Sequence, residues 1–195
     1  MLREKLRDAT KPLHDRLDLG LGAVVNDVDI TLYRDLLCRF LGFLIPWEDR
    51  VRRVFEGGPF AATFASRSKI GWLIADLESL GFDEAARSQI PIAEDLPNVS
   101  TLGRALGSMY VIEGSTLGGV HVARRLEEKL GLDANNGLRY FNNYGASRNS
   151  KWREFIEILE AHSSPSVDAE AVATAIDTFK YLGDWLVPTT QDLTL

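Results

Sequence analysis

The segment LGRALGSMYVIEGSTLGGVHVARRLEEKL reads as one long amphipathic helix, yet it carries glycines at 103, 107, 114, 118 and 119. Four of them, Gly103, Gly107, Gly114 and Gly118, follow steps of 4, 7 and 4 and so share one helix face. An interior glycine costs a helix roughly 1 kcal/mol against alanine. A stripe of four therefore needs a contact that a Cβ would obstruct. Two contacts meet that need: a second helix crossing closely, or a flat ligand lying against the main chain.

Around this segment the apolar spacing is helical almost throughout. Leu2, Leu6, Ala9, Leu13 and Leu17 outline a first helix that bends or restarts at Pro12. A second begins after Asp29, with Thr31 as the cap candidate, runs through Leu32, Leu36, Phe40, Leu44 and Val51, and is kinked at Pro46. A third spans about Ser68 to Leu80 and closes at Gly81, followed by a connector holding Pro91 and Pro97. The glycine-bearing helix opens at Ser100 or Thr101 and ends at Gly131. After the irregular stretch GLRYFNNYGASRNS, Lys151 to His162 and Ala169 to Leu186 read as two more. Period-2 strands and solenoid repeats are missing. At 195 residues and 45% hydrophobic, the chain is expected to form a single all-α domain over 1–195, a bundle of about six to eight helices.

A net charge of -6 excludes a broad electrostatic grip on nucleic acid, since the basic runs, Arg50, Arg52 and Arg53 or Arg124 and Arg125, are short and flanked by acids. The single cysteine, Cys38, rules out an internal disulfide and suits a reducing compartment. The N-terminus lacks an apolar signal core, and no run reaches the roughly 20 apolar residues of a membrane span. The expectation is a soluble, cytoplasmic protein with neither a membrane nor a nucleic-acid partner.

Three histidines carry the candidate chemistry. His14 lies beside the core stripe of the first helix, with Arg7 and Lys11 seven and three residues before it and Asp18 four after. That offers an imidazole for a metal, a carboxylate for the opposite ring N–H, and two cations for an anionic ligand. It also describes a histidine on a charged helix flank with no ligand at all. His121 is one turn beyond Gly118, within reach of the same space, though its periodicity favours a structural role. His162 suits a cation near a helix C-terminus. No E-x-x-H, H-E-x-x-H, C-x-x-C-H, Walker or G-x-S-x-G pattern occurs, which argues against a di-iron bundle, a zincin, a c-type haem, a P-loop and a serine hydrolase elbow.

The segments LRDATKPLHDRLD and MYVIEGSTLGG, about a hundred residues apart, resemble the proximal and distal helices of the haem (heme) oxygenase family, the GS-x-LG form of its bacterial members above all. The resemblance extends to GLRYFNNYGASRNSKWREF and AIDTFKYLGDWL. It implies haem as both substrate and cofactor, cleaved with O2 and electrons from a ferredoxin or another reductase to biliverdin, carbon monoxide and ferrous iron. The product would serve iron acquisition or a bilin-using photoreceptor. By the same resemblance His14 is the iron ligand and Asp18 orients it, while Gly114 and Gly118 bend the distal helix over the porphyrin, with Gly119 beside them. Arg7 and Arg153 meet the propionates, Tyr110 and Phe179 line the pocket, and Lys11, by its spacing to His14 alone, is a further cation for the ligand. Two departures stand out. Ser115 occupies a position where many members carry the aspartate that organises distal water, and Glu157 replaces a second propionate-binding cation. Both keep open a haem-binding or haem-sensing protein with little turnover, and a helical interaction domain with a close crossing at the stripe is the third reading.

Overall fold

A computed structural model describes residues 1–187 of the chain, so the last eight residues of the expected 1–195 domain lie outside the described residues. It contains α1 (Leu2–Asn26), α2 (Ile30–Phe55), α3 (Ala61–Ala65), α4 (Ile70–Ser79), α5 (Glu84–Arg87), α6 (Leu102–Leu130), α7 (Arg139–Asn142), α8 (Arg148–Ala161) and α9 (Pro165–Leu186), with a 3-10 turn at Gly145–Ser147. Six of these exceed one or two turns, and no strand occurs among the described residues. The all-α expectation holds.

The helix ends follow local chemistry. Asp29, in extended conformation, caps α2 by accepting the Leu32 amide at 2.8 Å, so the cap is Asp29 and not Thr31. Thr101 caps α6, and Gly131 at φ 68° closes it in the left-handed conformation that glycine adopts freely. Ser164 caps α9 with Pro165 at its first turn, four residues before the start expected at Ala169. The N-terminal amides of α1 at Leu2 and Arg3 are accepted by Glu160 of α8 at 3.1 and 2.8 Å. That carboxylate also faces the positive end of the α1 dipole.

Both internal prolines sit in unbroken helices. Pro12 is exposed, so the carbonyl it cannot pair, that of Asp8, lies on the solvent side and α1 does not restart. In α2, Pro46 frees the carbonyl of Gly42, and the Ala93 amide takes it at 3.0 Å. Gly42 has no Cβ in the way of the Pro91 carbonyl. The proline-containing connector thus docks on α2, burying Ile90, Ala93, Leu96 and Val99.

α9 packs along both α1 and α6, which also touch each other directly. The buried apolar residues, among them Leu2, Leu6, Phe43, Leu106, Phe155 and Ala175, form one cluster. Polar bonds tie its helices in register: Trp47 Nε1–H donates to Ser108 Oγ at 2.8 Å, and Thr178 Oγ1 lies 2.9 Å from the same hydroxyl. The two segments of interest, on α1 and α6, are therefore held by a common support.

Candidate functional site

His14 is half exposed, with Nδ1 3.3 Å from Asp18 Oδ2 and 3.7 Å from Asp15 Oδ1. Two carboxylates thus flank Nδ1, and Nε2 is the ring nitrogen they leave to a metal. The ring meets Phe179 edge to face, centroids 5.9 Å apart, and Phe179 is buried on α9. Carboxylate and aromatic edge together restrict the ring's rotation.

α6 presents bare backbone. A Cβ at Gly118 would meet nothing within 4 Å, and one at Gly114 only the Trp152 ring, at 3.7 Å. The rest of the stripe is filled. Gly103 faces the Val167 carbonyl, 2.9 Å from where a Cβ would sit, and Gly107 lies directly on the Ala171 backbone. The two halves of the stripe differ: the first is a helix crossing with α9, while in the second Gly114 lies beside the Trp152 ring and Gly118 is open. Gly119 belongs with the first group, since a Cβ there would stand 2.8 Å from the Phe141 carbonyl oxygen. Ser115 is exposed and its hydroxyl donates to the Ile112 carbonyl at 2.8 Å.

The cations lie along one flank. Arg7 pairs with Asp8 at 3.0 Å and Lys11 with Asp15 at 2.8 Å, both exposed contacts within α1. Such pairs are weak and readily exchange for another anion. Arg153 of α8 lines an open cleft of about 390 Å³ with Arg3, Asn149, Trp152, Ile156 and Glu157. Tyr110 stacks obliquely on Trp152, centroids 5.6 Å apart. Burial pushes its hydroxyl above the usual tyrosine range, against the pull of Arg3 and Arg7 nearby. Arg3 and Trp152 were not singled out from sequence, although Arg3 shares the Arg7 face at a step of four and Trp152 precedes Arg153. His121 is exposed on α6, and His162 caps α8, its Nδ1–H donating to the Ile158 carbonyl at 2.8 Å. Burial lifts the Cys38 thiol to about 11, as suits a packed side chain and not a nucleophile.

Among the described residues no cluster of three or more His, Cys, Asp or Glu side chains is placed to hold a bare metal ion. One oriented imidazole suits a metal that arrives with its other ligands, as in a porphyrin, and the Cβ-free surface at Gly114 and Gly118 suits a flat ring. The residues present fit haem. Residues 1–187 match the family model described as Heme oxygenase. The chain belongs to the heme oxygenase family. Haem oxygenases are oxidoreductases that bind haem as substrate and degrade it, and the chain's fold agrees with that membership. It is similar to the structure of the NO- and CO-bound heme oxygenase from Neisseria meningitidis, with a TM-score of 0.74 and 22% identity, over 95% of this chain and 90% of that one. No curated protein sequence matches the chain. No helix among the described residues is long and apolar enough to cross a membrane.

Proposed function

We propose that the protein opens bound haem to biliverdin, carbon monoxide and ferrous iron, drawing on O2 and on electrons from a ferredoxin or another reductase. The observation that carries this reading is a carboxylate-flanked imidazole, His14, on α1, the helix that touches α6, where the backbone at Gly118 is left uncovered. When bound, haem supplies both the iron that activates oxygen and the ring carbon that is attacked.

The chain's own residues do the rest. His14 would hold the haem iron through Nε2, with Asp18 beside Nδ1 to orient the ring. Gly118 would leave bare main chain toward a bound ring, and Gly114 would add no side chain of its own there, with the Trp152 ring beside it. Ser115 donates its proton to its own helix, so protons would reach the site through water and backbone groups in place of an aspartate. Arg7, Lys11 and Arg153 hold the propionates, joined by Arg3, and Tyr110 and Phe179 line the ring. The need for reductant and the single free cysteine support a cytoplasmic setting.

A haem sensor on the same fold is the second reading, favoured by Glu157, whose carboxylate lines the cleft that Arg3 and Arg153 share. A spectroscopic hemin titration, followed by reductant and chromatography of the product, separates the two. A Soret band that gives way to biliverdin is the expected result. Haem absorbance unchanged under ascorbate or a ferredoxin system rejects turnover.

A further inference from the structure

Behind the open backbone, on the side of α6 facing the core, lies a polar cluster that the proposed chemistry leaves unused. Glu113, one residue before Gly114, is 2% exposed. Its Oε2 accepts Arg67 Nη1–H at 2.6 Å, its Oε1 accepts Lys69 Nζ–H at 2.5 Å, and the Tyr144 hydroxyl stands 3.2 Å from both oxygens. Arg67 also reaches Glu154 Oε2 at 3.0 Å, and the Lys69 amide donates to Glu48 at 2.7 Å. The guanidinium takes this posture although its Nε is left buried without a partner, a penalty that apolar packing would avoid.

Asn143 and Tyr144 converge on the same turn of α6. Asn143 donates from Nδ2 to the Thr116 carbonyl at 3.3 Å, and its Oδ1 accepts the Tyr144 amide at 2.7 Å and Arg148 Nε–H at 3.3 Å. Its φ of 33° lies in the left-handed region, which a side-chain-bearing residue enters only where surrounding bonds hold it. Two residues earlier, the Phe141 carbonyl packs on Gly119. Three neighbouring residues of one turn thus touch α6 at 113, 116 and 119.

Buried ion pairs seldom stabilise more than well-packed apolar residues do, but their bonds are short and directional, so they fix position where apolar packing permits sliding. α6 needs such fixing, since its glycines offer no side chains to brace it from the ligand side. We propose that the turn Phe141–Tyr144, with Arg67 and Lys69, is a clamp that holds α6 from behind and sets how closely the Gly114–Gly118 backbone approaches the haem. What lies in front of α6 rests on the haem oxygenase reading; the clamp itself does not. These are positioning residues, and none touches the ligand.

The test compares Tyr144→Phe and Asn143→Ala with Tyr33→Phe, which removes a buried hydroxyl that is bonded to the Gly137 carbonyl at 2.6 Å and makes no bond to α6, and which keeps the ring against Phe141. In the ligand-free protein, amide exchange over residues 113–119 accelerates in the first two variants and not in the third. In the ferrous protein with hemin and CO, the C–O stretch shifts or broadens in the same two. Under reductant, kcat falls while hemin affinity holds, by up to about a hundredfold for a displacement near 1 Å. Exchange and C–O stretch equal to wild type in both clamp variants, or moved equally by Tyr33→Phe, overturn the clamp. Wild-type protein that takes up hemin without forming biliverdin overturns the proposed function alone, because exchange and stretch still read the clamp.

Discussion

Two glycines on one stripe respond oppositely to the same change. Gly118→Ala places a methyl in open space on an exposed helix, so the ligand-free protein gains up to about 1 kcal/mol from helix propensity. Gly107→Ala drives a methyl into the Ala171 backbone, and overpacking of this kind costs roughly 1–3 kcal/mol. Denaturant titration of the two variants reads the contrast, and equal signs would show that the stripe has a single role. Leucine at 118 leaves the ligand-free fold intact yet weakens hemin uptake if the ring lies on the proposed surface, since its bulk would stand there. His14→Ala removes the only imidazole that Asp18 orients, so the hemin complex loses its histidine-ligated spectrum and regains it with added imidazole. A spectrum unaltered by the substitution moves the ligand elsewhere, with His121 the next candidate. The split along the stripe was not legible from spacing alone: periodicity puts Gly103, Gly107, Gly114 and Gly118 on one face, and only the position of α9 decides which half is covered.

Elements are legible in proportion to how local their determinants are. α6 lies between Thr101 and Gly131 as its cap residues indicate, because both ends are fixed within one turn of chain. α7 was hidden in an irregular aromatic stretch, since its cap is remote: the buried Asp76 carboxylate, a side chain of α4, accepts the Arg139 and Tyr140 amides, each at 2.8 Å. Glu160 at the start of α1 and Ala93 at the Pro46 gap in α2 are remote partners of the same kind. The Glu113 cluster likewise unites residues from α2, α4's approach, α6 and the turn before α8, and no spacing rule connects them. Asp29 was the local signal misread. With the Leu32 amide on Asp29 Oδ1, Asp29→Ala should cost about 1 kcal/mol, while Thr31→Ala, lacking a cap role, changes little. A larger loss at Thr31 in thermal unfolding would return the cap to it.

At the scale of the molecule, α9 is the support on which both candidate surfaces rest: Phe179 meets His14, while Ala171 and Val167 meet α6 at Gly107 and Gly103. A ligand held by both α1 and α6 therefore ties together helices that otherwise share mainly this support, and binding reports on the folded arrangement of all three. A ligand that binds only the folded chain adds about 2.7 kcal/mol at a hundredfold excess over its Kd. For a chain of this size that is a rise in Tm on the order of 5–10 °C. His14→Ala should forfeit most of the increment without lowering the ligand-free Tm, since the side chain is half exposed and its ion pairs are solvated. Gly107→Ala should do the reverse, lowering the ligand-free Tm while keeping the increment, because the crossing it damages, on the Ala171 backbone, is apart from the surface proposed for hemin. A hemin-induced rise that survives His14→Ala in full, or none in wild type despite a Soret band, would mean that hemin adheres to the chain without joining α1 to α6.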